Sequence, residues 1–148
     1  MLSKFCKTLS RVSSSILQHR AENALSRNRI KEAELLAARI DPRSYSSRGE
    51  KNLLQGQLAM LQNNHVRAKQ KYEFAISDFT QAQNKTPDRF DQLEYMKAFA
   101  VNQLLWILSN TDLPENKEID LLLNDIVLDK VDTYTKKQYP VEIVKRYL

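Results

Sequence analysis

The sequence predicts an all-α protein, and three observations carry that prediction. Glycine occurs only twice, at Gly49 and Gly56, and proline four times, at Pro42, Pro87, Pro114 and Pro140. An all-β domain needs more glycine for its hairpins, and a doubly wound α/β domain needs more for its phosphate loops. Leu, Ala, Lys, Glu, Gln and Arg, the good helix formers, are plentiful. Apolar residues recur at steps of three and four along most of the chain, the spacing of one helical face. At 148 residues, with 42% hydrophobic and 28% charged side chains, the chain has the composition and length of a single helical domain, residues 1–148, with a real core.

The elements follow in order. Leu2, Phe5, Leu9, Val12 and Ile16 draw a stripe that continues into Leu17, Ala21 and Ala24. The pattern predicts a helix over 2–26, weakest at Ser13-Ser14-Ser15, with a turn at Asn28. The first twenty residues also hold Lys4, Lys7, Arg11 and Arg20, five serines and no acid, the composition of a mitochondrial transit peptide. The unbroken stripe favours a helix docked on the core and a cytoplasmic protein; the composition keeps a leader and the mitochondrial matrix open. A second helix is expected over 30–40, with Ile30, Ala33, Ala37 and Ile40 on one face. Asp41-Pro42 closes it, because a residue before proline disfavours the α region. Residues 44–49 read as a polar connector, with Ser46 or Ser47 as the next cap. Helices over 50–62 and 66–83 follow, split at Asn63-Asn64, the latter carrying Ala68, Tyr72, Ala75, Ile76 and Phe79. The longest helical stretch spans 88–109, and Asn110 to Pro114 breaks it. Ile119, Leu122, Leu123, Ile126 and Val127 then mark an amphipathic helix over 118–130. After an ambiguous Tyr134–Pro140 stretch, Pro140 opens a last short helix with Val141, Val144 and Tyr147.

Residues 14–47 and 49–82 superpose with a shift of 35. Ala21 falls on Gly56, Ala24 on Ala59, Ala33 on Ala68, Ala37 on Tyr72 and Ile40 on Ala75. This resembles the tetratricopeptide repeat, a helix hairpin of about 34 residues. Gly56, Ala68, Tyr72 and Ala75 match the small and aromatic contact positions of that family, and Ala21, Ala33 and Pro42 match them less fully. Leu17 and Asn52 replace the usual aromatic, Arg20 and Gln55 the usual leucine, and Thr80 the closing proline. Residues 88–148 would supply a degenerate third hairpin and capping helices, since Asn110 to Lys117 is too long a connector for the strict unit. The resemblance implies antiparallel hairpins stacked as a right-handed array with a C-terminal helical cap. It also implies a concave groove lined by the first helix of each hairpin. The matching positions are Gln18, His19 and Glu22, then Glu50, Leu53, Leu54, Gln57 and Leu61, then Tyr95, Met96, Phe99, Asn102 and Gln103. A groove mixing leucines, amides and an aromatic suits an extended or helical peptide held by apolar anchors.

No phosphate loop, Gly-x-Ser-x-Gly elbow, His-Glu-x-x-His or Gly-x-Gly-x-x-Gly occurs. Cys6 is the only cysteine, so no intramolecular disulfide forms, and with only His19 and His65 no Cys/His metal cluster is expected. No apolar run is long enough for a membrane span. The expectation is therefore a non-enzymatic protein without cofactor or metal: an adaptor, small chaperone, or immunity or regulatory protein holding a partner segment. Self-association of the chain stays open. The net charge of +5 is uneven, with ten basic against four acidic residues over 1–48, six against four over 49–90, and seven against ten over 91–148. A basic end admits a second reading, nucleic-acid binding or an acidic partner, through Arg27, Arg29, Arg39, Arg43, Arg67, Lys69 and Lys71. Alternate residues such as Arg67, Lys69 and Lys71 do not share one helix face, which counts against a phosphate-tracking stripe.

Overall fold

In a computed structural model, which describes residues 16–123 and 125–131, residues 16–26 form helix α1. Its buried face is Leu17, Ala21 and Ala24, the three- and four-residue spacing expected of one stripe. The helix ends on Asn28, whose φ of 58° is left-handed. The Arg29 amide then donates to the Ala24 carbonyl at 2.8 Å. Asparagine tolerates this conformation, and the bond satisfies a carbonyl that the helix end leaves open. Helix α2 is Ile30–Ala38 and α3 is Tyr45–Leu61. The end of α3 repeats the same device: Asn63 has φ 55°, and the Asn64 amide donates to the Ala59 carbonyl at 2.9 Å. Helix α4, His65–Lys85, starts directly after it. Turn, capped carbonyl and following helix start all recur 35 residues apart.

A 3₁₀ turn at Pro87–Arg89 leads into α5, Phe90–Asn110, and two short helices follow, α6 at Lys117–Asp120 and α7 at Asp125–Asp129. The described residues are helices and connections only, without a strand. The expected helix over residues 2–15, Cys6, the Tyr134–Pro140 stretch and the helix expected after Pro140 lie outside the described residues.

Two expectations are corrected. Helix α3 begins at Tyr45 rather than 50, because Ser44 is the cap: its side chain accepts from the Ser47 amide at 3.1 Å. Gly49 is thus an interior helix residue. The helix expected over 118–130 is two helices. Bonds from the Leu122 amide to Ile119 (2.9 Å) and from Leu123 to Asp120 (3.4 Å) tighten and end α6. Ile119, Val127 and Val131 are buried, while Leu121 is 86% exposed and Ile126 45%. The break lets α6 rest on α4 and α7 on α5. A single straight helix would use one stripe for both.

Packing runs along the chain, α2 on α3, α3 on α4 and α4 on α5. Helices α3 and α4 are antiparallel and unusually close. A Cβ on Gly49 would lie 2.6 Å from Phe79 Cε1, and one on Gly56 2.8 Å from Tyr72 Cε1. Each aromatic ring occupies the space a side chain would need, two helical turns apart on both helices. Leu54 and Leu58 join Leu17, Ala33, Leu36 and Ile40 in one core between α1, α2 and α3. Leu53, one residue away, faces the larger core of Tyr72, Ile76, Phe79, Leu93 and Leu104. Helix α3 therefore belongs to both layers. Asn52 Nδ2 donates to Asp78 Oδ2 at 2.8 Å within the α3–α4 contact. Burial pushes the Asp78 carboxyl up, against the Asn52 hydrogen bond and the Arg48 charge.

Candidate functional site

Helices α1, α3 and α5 share an open cavity of about 410 Å³. From α1 come Glu22, Leu25 and Ser26, and from α3 Gln57, Met60 and Leu61. Phe99 and Gln103 close it from α5, and Tyr72 of α4 reaches in between. The α1 and α3 contributions are the same three positions 35 residues apart: Glu22 and Gln57, Leu25 and Met60, Ser26 and Leu61. Leu61 is 51% exposed and Phe99 38%, so apolar surface stands open to solvent at the rim. The volume lies in the range of small-ligand and side-chain pockets.

Tyr72 is the least ordinary member of this wall. Its ring lies against Gly56 and the residue is fully buried, which pushes the phenol above its usual range. The hydroxyl has no hydrogen-bond partner among the described residues. Such a group costs about 1–3 kcal/mol relative to a satisfied one, and a phenylalanine would fill the same space without that cost.

Of the groove positions expected from sequence, Glu22, Gln57, Phe99 and Gln103 meet at this cavity, as does Leu61. Gln18 is half-buried and donates to Glu22 Oε1 at 3.2 Å, steadying the carboxylate, and His19 is exposed on the same helix. Tyr95 is exposed further along α5, with the Lys130 ammonium 5.2 Å from its ring centre. Asn102 is half-buried, its Oδ1 without a partner among the described residues. Leu53 and Leu54 are core residues, and Met96 is half-buried against the larger core. Glu50 is buried rather than facing the groove. Its carboxyl is pushed up to about 7 by burial, opposed by Arg89 and reinforced by Glu22. Leu25, Ser26, Met60 and Tyr72 were not anticipated as groove residues. The 35-residue shift, extended one turn beyond Glu22 and Gln57, finds the first three. Tyr72 was legible only as a core contact.

The seven basic candidates do not converge. Arg27 and Arg29 flank the α1–α2 turn, Arg39 and Arg43 follow α2, and Arg67, Lys69 and Lys71 lie on the first turns of α4. Three already have carboxylate partners: Arg29 with Glu32 at 3.6 Å, Arg43 with Asp41 at 2.6 Å, and Lys69 with Glu73. Burial, then the like charges of Arg67 and Lys51, lowers the Lys71 ammonium below its usual range. His65 opens α4 and packs its ring 5.6 Å from that of Trp106. No group of three or more potential metal ligands occurs among the described residues, and no helix among them is long and apolar enough to cross a membrane. Comparison with family models, curated proteins and solved structures finds no match for this chain.

Proposed function

We propose that the protein is a non-enzymatic binding module of tetratricopeptide-like build, acting in the cytoplasm as an adaptor, small chaperone or regulatory protein that holds a segment of another protein. The observation that carries this reading is the cavity between α1, α3 and α5 with exposed Leu61 and Phe99 at its rim. Its wall mixes apolar anchors with amides, the chemistry that takes an amphipathic or extended peptide. The repeated Asn28 and Asn63 turns support the same reading, because they set two hairpins in equivalent register.

The test is affinity capture of tagged protein from its native cell, with nuclease treatment and a Phe99→Asp variant alongside. Phe99 is 38% exposed, so the fold should tolerate the change. The expected result is a defined protein that survives nuclease and high salt and is lost from Phe99→Asp. Recovery of nucleic acid alone, or of the same partner on both proteins, would refute the reading.

A further inference from the structure

We propose that the occupant of this groove is a cationic peptide segment. An apolar side chain of that segment seats between Met60 and Phe99, a neighbouring lysine or arginine pairs with Glu22, and a polar atom bonds the Tyr72 hydroxyl. The inference deepens the binding reading above and rests on it.

Charge is the first argument. Glu22 is the only charged side chain among the described residues lining the cavity, and it is exposed. Buried Glu50 lies close enough for the two carboxyls to repel. Arg89 partly offsets Glu50, but among the described residues the wall itself holds no lysine or arginine beside Glu22. A cation arriving at Glu22 meets complementary charge, whereas an acidic segment meets repulsion.

Tyr72 is the second. Its hydroxyl is buried without a hydrogen-bond partner among the described residues, and the residue is one of those that line the cavity. Among the described residues nothing repays the cost of burying it. The side chains sharing that wall include Met60, Gln57 and Gln103, long and adaptable groups that can yield to an incoming wedge. An occupant that reaches the hydroxyl supplies its missing partner, so the interaction is made only in the complex.

The test is selection of a phage-displayed library of random dodecapeptides on the full chain, followed by affinities on Glu22→Lys, Tyr72→Phe and Phe99→Asp. Wild type should enrich peptides with an aromatic or large aliphatic residue beside lysine or arginine. Glu22→Lys should weaken them about tenfold or more. Tyr72→Phe should weaken them about fivefold while raising the melting temperature, a pair of opposite signs that a purely structural tyrosine does not give. Peptides lost on Phe99→Asp but acidic or uncharged, or indifferent to Glu22→Lys and Tyr72→Phe, overturn this inference and leave the groove reading standing. Peptides that bind Phe99→Asp as well as wild type, or no enrichment over bare support, overturn both.

Discussion

Two buried ionisable residues make the stability of this helical stack depend on pH in opposite directions. Burial, against Arg89 and with Glu22, raises the Glu50 carboxyl from 4.5 to about 7. Between those values the folded chain keeps a proton that the unfolded chain has released, so stability falls as pH rises through the window. Glu50→Gln should therefore be more stable than wild type at pH 8, by up to roughly 3 kcal/mol, and indistinguishable from it at pH 4, as urea unfolding at both values would show. Lys97 is fully buried and its ammonium has no hydrogen-bond partner among the described residues. Burial lowers its pKa from 10.5, only partly offset by the Glu94 charge. The unfolded lysine stays protonated up to 10.5, so stability rises with pH between the lowered value and 10.5. Lys97→Met should stabilise the protein at pH 7 by about 1–3 kcal/mol, and that gain should shrink as pH approaches 10.5. Neither residue stood out in the sequence as buried. Glu94 and Lys97 are ordinary helix formers, and their burial follows from α5 being enclosed on most of its surface, which single-helix periodicity does not report.

At the scale of the element, the α3–α4 contact decides how the hairpin is built. Alanine is favoured over glycine inside a helix by about 1 kcal/mol, yet at Gly56 the added methyl meets the Tyr72 ring at 2.8 Å and at Gly49 it meets Phe79 at 2.6 Å. Overpacking of this kind costs about 1–3 kcal/mol or more, so Gly49→Ala and Gly56→Ala should both lower the denaturation midpoint. Adding Phe79→Leu to Gly49→Ala should recover part of the loss, and strict additivity in that double-mutant cycle would contradict the contact. Gly56 was legible from the repeat, where a small residue faces an aromatic. In the sequence Gly49 has the local signature of a connector, a lone glycine beside three serines; only the ring of Phe79 thirty residues on explains it as interior. The C-terminal pair α6 and α7 shows the converse. Ile119 to Val127 has the periodicity of one amphipathic helix, but α4 and α5 offer it two separate docking places, and tertiary packing breaks the stripe at Leu121.

At the scale of the molecule, the repeat matters more than any single residue. A shift of 35 carries Glu22, Leu25 and Ser26 onto Gln57, Met60 and Leu61, so two copies of one helix face, joined by Phe99 and Gln103, make the wall of a groove. Half of that wall could be named from sequence, because positions 35 residues apart on α1 and α3 face the same cavity. The hydroxyl of Tyr72 could not, since its lack of a partner is a property of the assembled helices. The basic residues show the limit of charge counting: a positive N-terminal half disperses over three places and partly pairs with its own carboxylates. The central claim, that a partner segment lies against α1, α3 and α5, is tested most directly by photo-crosslinking in the native cell. A photoreactive phenylalanine would replace Leu61 or Phe99 at the groove, or Leu35 of α2 or Phe74 of α4, which are exposed elsewhere on the surface. A discrete protein adduct from positions 61 and 99, and none from 35 and 74, is the predicted result. Adducts confined to positions 35 and 74, or crosslinks to nucleic acid alone, would contradict it.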